Sequence, residues 1–311
     1  MINIQDFKHN KEILSKKTSD IHVDSVMIEN GNIIEKLFYK NDELHEIRSC
    51  SKLLVAMAVG VAIDNKMLVV DTPLTLETKV WPVLKNLVDI INKENLQKIE
   101  NWTIENLLTH TAGYEGQMMS ERFIQDIDKD KLLDYALNYS IPYEVGTRFA
   151  YNNLEPFIIS VFFQEAFNIN LSDFINEQIF KKLEIVDYRW PNYGKYCPGS
   201  TGLLLRHFDF HKIGQLLLSN GKYNTIQVLP LIWVDAMCSM KIETPAGYKP
   251  ERVLPKVGAG YFTFTSRDGF VFRDGADGQY IIVNRQQDLL ITILSSEPIM
   301  KNVTEILRDL I

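Results

Sequence analysis

Cysteine is scarce in this chain: Cys50, Cys197 and Cys238 form an odd set of three with no close pairing. That excludes a disulfide framework and suits a reducing compartment. Dense basic tracts are missing too. Lys and Arg number 33 against 40 Asp and Glu, a net charge of −7, so nucleic acid and anionic membrane are poor partners. No apolar run reaches membrane-spanning length. The leader Met1–Asp20 is polar and lysine-rich, without the apolar core of a secretory signal. With Met1 opening the chain, a cytoplasmic protein with no membrane association is expected. Repeats, low-complexity tracts and flexible linkers are absent as well. What remains is an ordinary globular composition, 46% hydrophobic and 23% charged over 311 residues, enough for one large domain or two smaller ones.

The stretch around which the chain is organised is Ile47-Arg48-Ser49-Cys50-Ser51-Lys52, followed by the apolar run Leu53–Ile63 and closed by Asp64-Asn65-Lys66. The run is too long for a strand and too short for a membrane span, so it predicts a buried helix. Ser49 then lies at the helix N-terminus, where partial positive charge favours a developing oxyanion. Lys52 lies one turn along, within reach of the Ser49 hydroxyl. A lysine at the edge of a desolvated helix has its neutral form favoured, as a proton acceptor for a serine requires. Ser-x-x-Lys is a serine acylase signature, but it fixes only a pair of positions and arises by chance in chains of this length. Its weight comes from the rest of the chain.

Residues 1–20 read as a polar leader with a short helix around Asp6–Ser15. Val26–Glu29 and Ile33–Tyr39 flank Asn30-Gly31, a hairpin signal. Beyond an extended, Pro-marked segment at Leu68–Leu74, helices are predicted over Trp81–Asn95, Ile104–Leu108 with Thr103 as N-cap, Glu121–Asn138, Leu154–Phe167 and Leu171–Leu183 capped by Asn170. Helices near Phe208–Ser219 and Leu229–Met240 follow, with Asn220-Gly221 stopping the first. Short strands are predicted at Gly260–Phe264, Gly269–Phe272, Gln279–Val283 and Leu289–Leu294, then a final helix from Val303 to Ile311. Strands, a helical middle, then strands and a closing helix make an α+β fold. Its sheet is built from both chain ends: 1–66 plus 200–311 as a sheet subdomain, 67–199 as a helical subdomain, with the site in the cleft between them.

A second candidate site is Gly146-Thr147-Arg148-Phe149-Ala150-Tyr151-Asn152-Asn153. Tyr-x-Asn in a loop before a helix supplies a phenol for proton transfer and an amide for a carbonyl. The pattern is weak alone, since Tyr39-Lys40-Asn41 also matches. Further along stand Thr103-Ile104-Glu105-Asn106-Leu107-Leu108-Thr109-His110-Thr111-Ala112-Gly113, Gly199-Ser200-Thr201-Gly202-Leu203, Asp209–Leu218 and Gly275-Ala276-Asp277-Gly278-Gln279-Tyr280-Ile281-Ile282-Val283. Taken together, in order and rough spacing, these segments resemble the serine β-lactamase and penicillin-binding-protein family, in its class C-like branch of β-lactamases, D-amino-acid peptidases and amidases, and esterases. The likeness runs from about residue 22 to the C-terminus.

The resemblance implies the β-lactamase/transpeptidase-like fold, an antiparallel sheet flanked by helices with a mostly helical insertion. It implies Ser49 as acylated nucleophile, Lys52 as its proton partner and Tyr151 as general base and later acid. Asn153 would bind a substrate amide or hold Lys52, and the oxyanion hole would come from the N–H groups of Ser49 and Gln279. Gln117 and Tyr114 are expected to face the cleft. No cofactor and no metal are implied. The family's third motif begins with Lys or His, then any residue and Gly. Here the matching triplet is Ala276-Asp277-Gly278, which has no cation and adds a negative charge. A neutral or amine-bearing substrate is therefore expected, cleaved as a small ester or amide. The alternatives are a β-lactamase or penicillin-binding protein, and a non-catalytic ligand-binding member of the fold. Sequence leaves the oligomeric state open. His207-x-Asp209-x-His211 has metal-like spacing but is expected to be an ordinary helix start with Asp209 as cap. His110 is expected to hold the loop after its helix, and Cys50 to be a packed small side chain.

Overall fold

The computed structural model describes residues 21–38, 42–116, 124–245 and 253–308. The predicted leader helix and Gln117 lie outside these residues. Asn30 and Gly31 make the expected hairpin between β1 (Val23–Asn30) and β2 (Ile33–Phe38), with Asn30 opposite Ile33. Gly31 takes the positive φ, 58°, that such a turn demands. The other strands of this sheet come from the chain's last third: β3 (Ile242–Glu243), β4 (Gly258–Ala259), β5 (Phe264–Thr265), β6 (Val271–Gly275), β7 (Gln279–Asn284) and β8 (Leu289–Ser295). Their order is β3-β4-β5-β6-β7-β8-β1-β2, antiparallel throughout, so the two chain ends meet where β8 pairs with β1.

Both faces of the sheet are covered. On one, Val26, Ile28, Phe272, Tyr280, Ile282 and Ile291 pack with Val303 and Ile306 of the closing helix, Met300–Leu307. On the other, Ile281, Val283 and Leu290 join the large core that holds α1 (Lys52–Asp64). Lys52 to Ala62 are all buried, as expected of a helix apolar around its whole circumference. Gly60 is there to admit Trp233, whose indole N–H donates to the Ala56 carbonyl at 2.9 Å. A Cβ on Gly60 would fall inside the indole ring's envelope. Helix glycines usually gain from substitution by alanine, but here the sign reverses: Gly60→Ala is expected to lower stability by about 1–3 kcal/mol, read as a lower denaturant midpoint.

The middle of the chain is helical, as the apolar spacing predicts, and its caps are legible. Thr103 and Asn106 form a reciprocal capping box for α2 (Ile104–Leu108). α3 (Leu154–Phe167) starts where the Asn152 amide oxygen accepts from the N–H groups of Leu154 and Glu155, at 2.9 and 3.1 Å. Asn170 caps the next helical segment, which begins at Leu171. The predicted Trp81–Asn95 helix is instead two, Trp81–Leu84 and Lys93–Ile99, the second freshly capped by Asn92. Ile91, part of the apolar period there, is exposed and supports no buried stripe. Within the described part of Glu121–Asn138, the regular helix is Leu132–Asn138.

α4 (His207–Leu218) packs on β7 and β8. Its expected cap is corrected: the backbone N–H of His207 is received by Asp42 at 2.9 Å, while Asp209 sits in the first turn, 2.8 Å from the Lys212 ammonium. His207 and His211 are buried and tie α4 to the sheet. His207 bonds Ser25 and Thr292, and His211 bonds Thr292 and Glu29. Among the described residues no group of three or more His, Cys, Asp or Glu is placed to hold a metal ion, and no helix is long and apolar enough to cross a membrane.

Candidate active site

Ser49 is presented by a 3₁₀ turn, Arg48–Ser51, that runs directly into α1. Arg48, just before it, is in the left-handed region at φ 50°, a strained conformation that persists only where surroundings enforce it. They do: the Arg48 side chain bonds Glu46 at 2.7 Å and Asp277 at 3.0 Å. Glu46 also receives the Thr201 hydroxyl and the Gly202 N–H, both at 2.9 Å. One arginine thus ties the turn carrying Ser49 to the turn after β6 and, through Glu46, to the 199–202 loop.

Lys52 opens α1 and is fully buried. Its Nζ lies 3.1 Å from Ser49 Oγ, 2.6 Å from Asn153 Oδ1 and 3.0 Å from the Ser200 carbonyl oxygen. Tyr151 arrives from the loop before α3, and its hydroxyl donates to Ser49 Oγ at 2.8 Å. That loop is pinned at one end by the Ala150 N–H, which donates to the His110 carbonyl at 2.9 Å, and at the other by the Asn152 cap. His110 is itself left-handed at φ 57° and bonds the Glu155 carboxyl, which also receives the Ala112 N–H. Its ring lies edge-on to Tyr151 at 5.1 Å. Lys52 and Tyr151, the latter about a hundred positions away in sequence, therefore meet at the Ser49 hydroxyl, with Asn153 holding Lys52 from behind.

Arg273 is the residue that sequence reasoning left unassigned. It is fully buried on β6. Its Nε donates to the Ser49 carbonyl at 3.0 Å, Nη1 to the Phe262 carbonyl at 3.3 Å and Nη2 to the Tyr151 hydroxyl at 2.8 Å. The triplet that meets the serine is therefore Arg273-Asp274-Gly275, and the assignment to Ala276-Asp277-Gly278 is corrected. Alternation decides it, since Arg273 and Gly275 share a strand face. A Cβ at Gly275 would lie 2.9 Å from the Ile47 carbonyl and 3.0 Å from Arg48 Cβ, so this face abuts the Ser49 turn.

Ala276, Asp277 and Gly278 are the turn that follows, with Asp277 at φ 59° and Gly278 at φ 87°. Asp277 is not an unopposed charge facing substrate, because Arg48 holds it. Gly278 faces elsewhere: a Cβ there would meet Val303 of the closing helix at 2.6 Å. The Gln279 side chain is also committed away from the serine. Its amide donates to the Ser295 and Ala276 carbonyls, and its oxygen receives the Ser295 N–H. Tyr114 is buried with its hydroxyl on the Ala136 carbonyl and lines the core rather than a cleft.

Burial, with Arg273 next, holds the Lys52 ammonium well below its usual 10.5. Burial raises the Tyr151 phenol, partly opposed by Arg273 and by the bond to Ser49. Burial likewise pushes the Cys50 thiol up, which favours the unreactive thiol form beside Ser49. Donor counting constrains the proton order. Arg273 only donates, so the Tyr151 oxygen accepts and its hydrogen points to Ser49. Once Lys52 is neutral, its pair of N–H groups matches Asn153 and the Ser200 carbonyl, and its lone pair can face the Ser49 hydroxyl.

The Beta-lactamase family profile matches residues 27–210, more than half of the chain. No curated protein matches it. Among solved structures, EstCE1, a hydrolase with promiscuous acyltransferase activity, superposes at TM-score 0.77 with 13% identity, over 98% of each chain. A penicillin binding protein from Bacillus halodurans gives TM-score 0.73 at 13% identity, covering 96% of this chain and 100% of that one. The simvastatin synthase LovD from Aspergillus terreus, as its LovD9 mutant, gives 0.72 at 14% identity over 96% of each chain. At these identities the likeness shows the fold.

Proposed function

The chain belongs to the beta-lactamase family, and from that premise we propose that it is a serine hydrolase that cleaves a small ester or amide through an acyl-enzyme on Ser49. One observation carries the reading: Ser49 Oγ is approached together by the Tyr151 hydroxyl at 2.8 Å and the Lys52 amine at 3.1 Å. As Oγ attacks the substrate carbonyl, its proton passes to the lone pair of Lys52. Tyr151, within reach of the same oxygen, gives its hydroxyl proton to the departing alcohol or amine and recovers one from the Lys52 ammonium. The same pair then takes a proton from the water that cleaves the ester and returns it to Ser49 Oγ. Moving the third motif back by three residues moves the second oxyanion donor from Gln279 to the N–H of Ala276, beside the N–H of Ser49. The site occupies a cleft between the sheet subdomain, 1–66 plus 200–311, and the helical subdomain, 67–199.

The expected substrate remains neutral or amine-bearing, on a changed basis. A cation does stand at the third motif, but Arg273 is fully buried and its bonds go to Ser49, Phe262 and Tyr151. Held there and fully buried, it is poorly placed to receive a carboxylate. Intact mass after treatment with a fluorophosphonate and, separately, a penicillin tests this. A single fluorophosphonate adduct on the native protein, none on Ser49→Ala and none from penicillin is the expected result. Stable adducts from both reagents would support a penicillin-binding protein instead. Adducts from neither would overturn the hydrolase reading in favour of a ligand-binding member of the fold.

A further inference from the structure

We propose that the buried ion pair Lys256–Asp274 is a positioning pair that sets the protonation of the Lys52–Tyr151 couple, and hence the pH at which Ser49 becomes reactive. The inference rests on the acyl-enzyme reading above. The Lys256 Nζ lies 2.7 Å from Asp274 Oδ1, with side-chain exposures of 3% and 7%. It stands 3.8 Å from the Phe264 ring centroid and 5.8 Å from that of Tyr151. Asp274 is the chain neighbour of Arg273, whose guanidinium carbon lies 5.1 Å from the same Tyr151 ring. Lys52 Nζ is also 5.1 Å from it. Tyr151 thus sits among three basic side chains, with Asp274 as the carboxylate of β6 beside them.

Stability alone is a poor account of such a pair. Moving both ions out of water offsets most of their attraction, and apolar residues of similar volume often serve as well or better. Its placement gives it another effect. In a poorly solvated site each charge acts on its neighbours over several ångströms. Lys256 disfavours a second positive charge on Lys52, while Asp274 favours it and opposes a phenolate on Tyr151; both act on Lys52 in these directions. The other groups around the couple are Ser49 and Cys50 on the nucleophile turn, Arg273 on β6, Asn153 before α3, and the His110–Glu155 pair on the helical side. Burial pushes the last two toward their neutral forms, His110 down and Glu155 up. Among the described residues, the charges that remain beside the couple are those of Arg273, Lys256 and Asp274.

The halves of the pair therefore have opposite signatures. Labelling of Ser49 needs a neutral Lys52, so its rate rises with pH through the pKa of that amine. Lys256→Met removes a repelling cation, and the midpoint should move to higher pH by about half a unit to one unit. Asp274→Asn removes the attracting anion, and the midpoint should move the other way by a similar amount. The double variant should return close to the native midpoint, and Lys256→Arg, which keeps the charge, should stay near it.

The experiment is the rate of fluorophosphonate labelling of Ser49 against pH for the native chain and these variants, with circular dichroism confirming the fold. A merely structural pair would slow labelling in both single variants without separating their midpoints. Coincident midpoints, or shifts of the same sign, overturn the proposal. Should Lys256→Met fail to fold, the sign of the shift in the nearly isosteric Asp274→Asn decides alone. A native chain that never labels overturns the acyl-enzyme reading itself, and this inference with it.

Discussion

Lys52→Met is expected to slow acylation of Ser49 by about 10²–10⁴-fold and, separately, to flatten the pH dependence of stability. The first effect follows from the lone pair that a neutral Lys52 turns to the Ser49 hydroxyl. Methionine fills much the same volume and accepts no proton there. The second follows from burial. In the unfolded chain Lys52 keeps its proton up to about 10.5, whereas in the fold it gives it up at much lower pH. Between those limits the unfolded state binds more protons than the native state, so the free energy of unfolding rises with pH and levels off above 10.5. The variant lacks this slope. It also leaves the Asn153 and Ser200 oxygens without their donor, a loss that does not vary with pH. The native-minus-variant stability difference should therefore move in favour of the native chain as pH rises. Melting curves across pH measure it. Parallel curves would show that Lys52 holds its proton as an exposed lysine does, which would remove the basis for its role as acceptor.

The elements that sequence made legible share a property: each is decided locally. The Asn30-Gly31 hairpin, the Thr103 box, the helix from Leu154 to Phe167 and the all-round apolar helix after Ser49 each combine a strong period with a cap or turn residue a few positions away. One misreading comes from contacts that the local pattern does not show. The predicted strand over Gly260–Phe264 is broken because Phe262 turns to φ 54°, its N–H donating to the Leu108 carbonyl and its own carbonyl accepting from Arg273. The first partner lies far away in sequence, on α2, and the second on β6, beside β5 in the sheet. Propensity favours a strand there, and the site overrides it.

The third motif failed for a different reason, and a signal for it was present. Asp277-Gly278 is a hairpin-turn dipeptide. Read as a turn, it puts Ala276–Gly278 beyond the sheet and leaves Arg273 and Gly275 as the last residues on one face of the preceding strand. Gln117 falls outside the described residues. The proximity of Lys256 to Tyr151 had no local sign at all, since it depends on β4, β5 and β6 being neighbours in the sheet.

Arg273 carries the other large effect. Arg273→Met should lower the rate of Ser49 acylation by about 10²–10³-fold and stability by about 2–4 kcal/mol, read as the labelling rate and the urea midpoint. The stability loss arises because the buried Phe262 carbonyl has this guanidinium as donor, Phe262 is left-handed, and the Ser49 carbonyl loses one of its donors. The rate loss arises because the same fork orients the Tyr151 hydroxyl. With the donor gone, the phenol is free to rotate its hydrogen away from Ser49, and the directed order of protons from Arg273 to Lys52 is lost. Arg273→Lys separates these contributions. It keeps a positive charge but not the planar fork, whose donors reach Ser49, Phe262 and Tyr151 at once. Stability should recover in part while acylation stays well below native. Full recovery of the rate by lysine would mean that charge alone is needed at this position, and a methionine variant that folds and labels at the native rate would remove Arg273 from the site's chemistry.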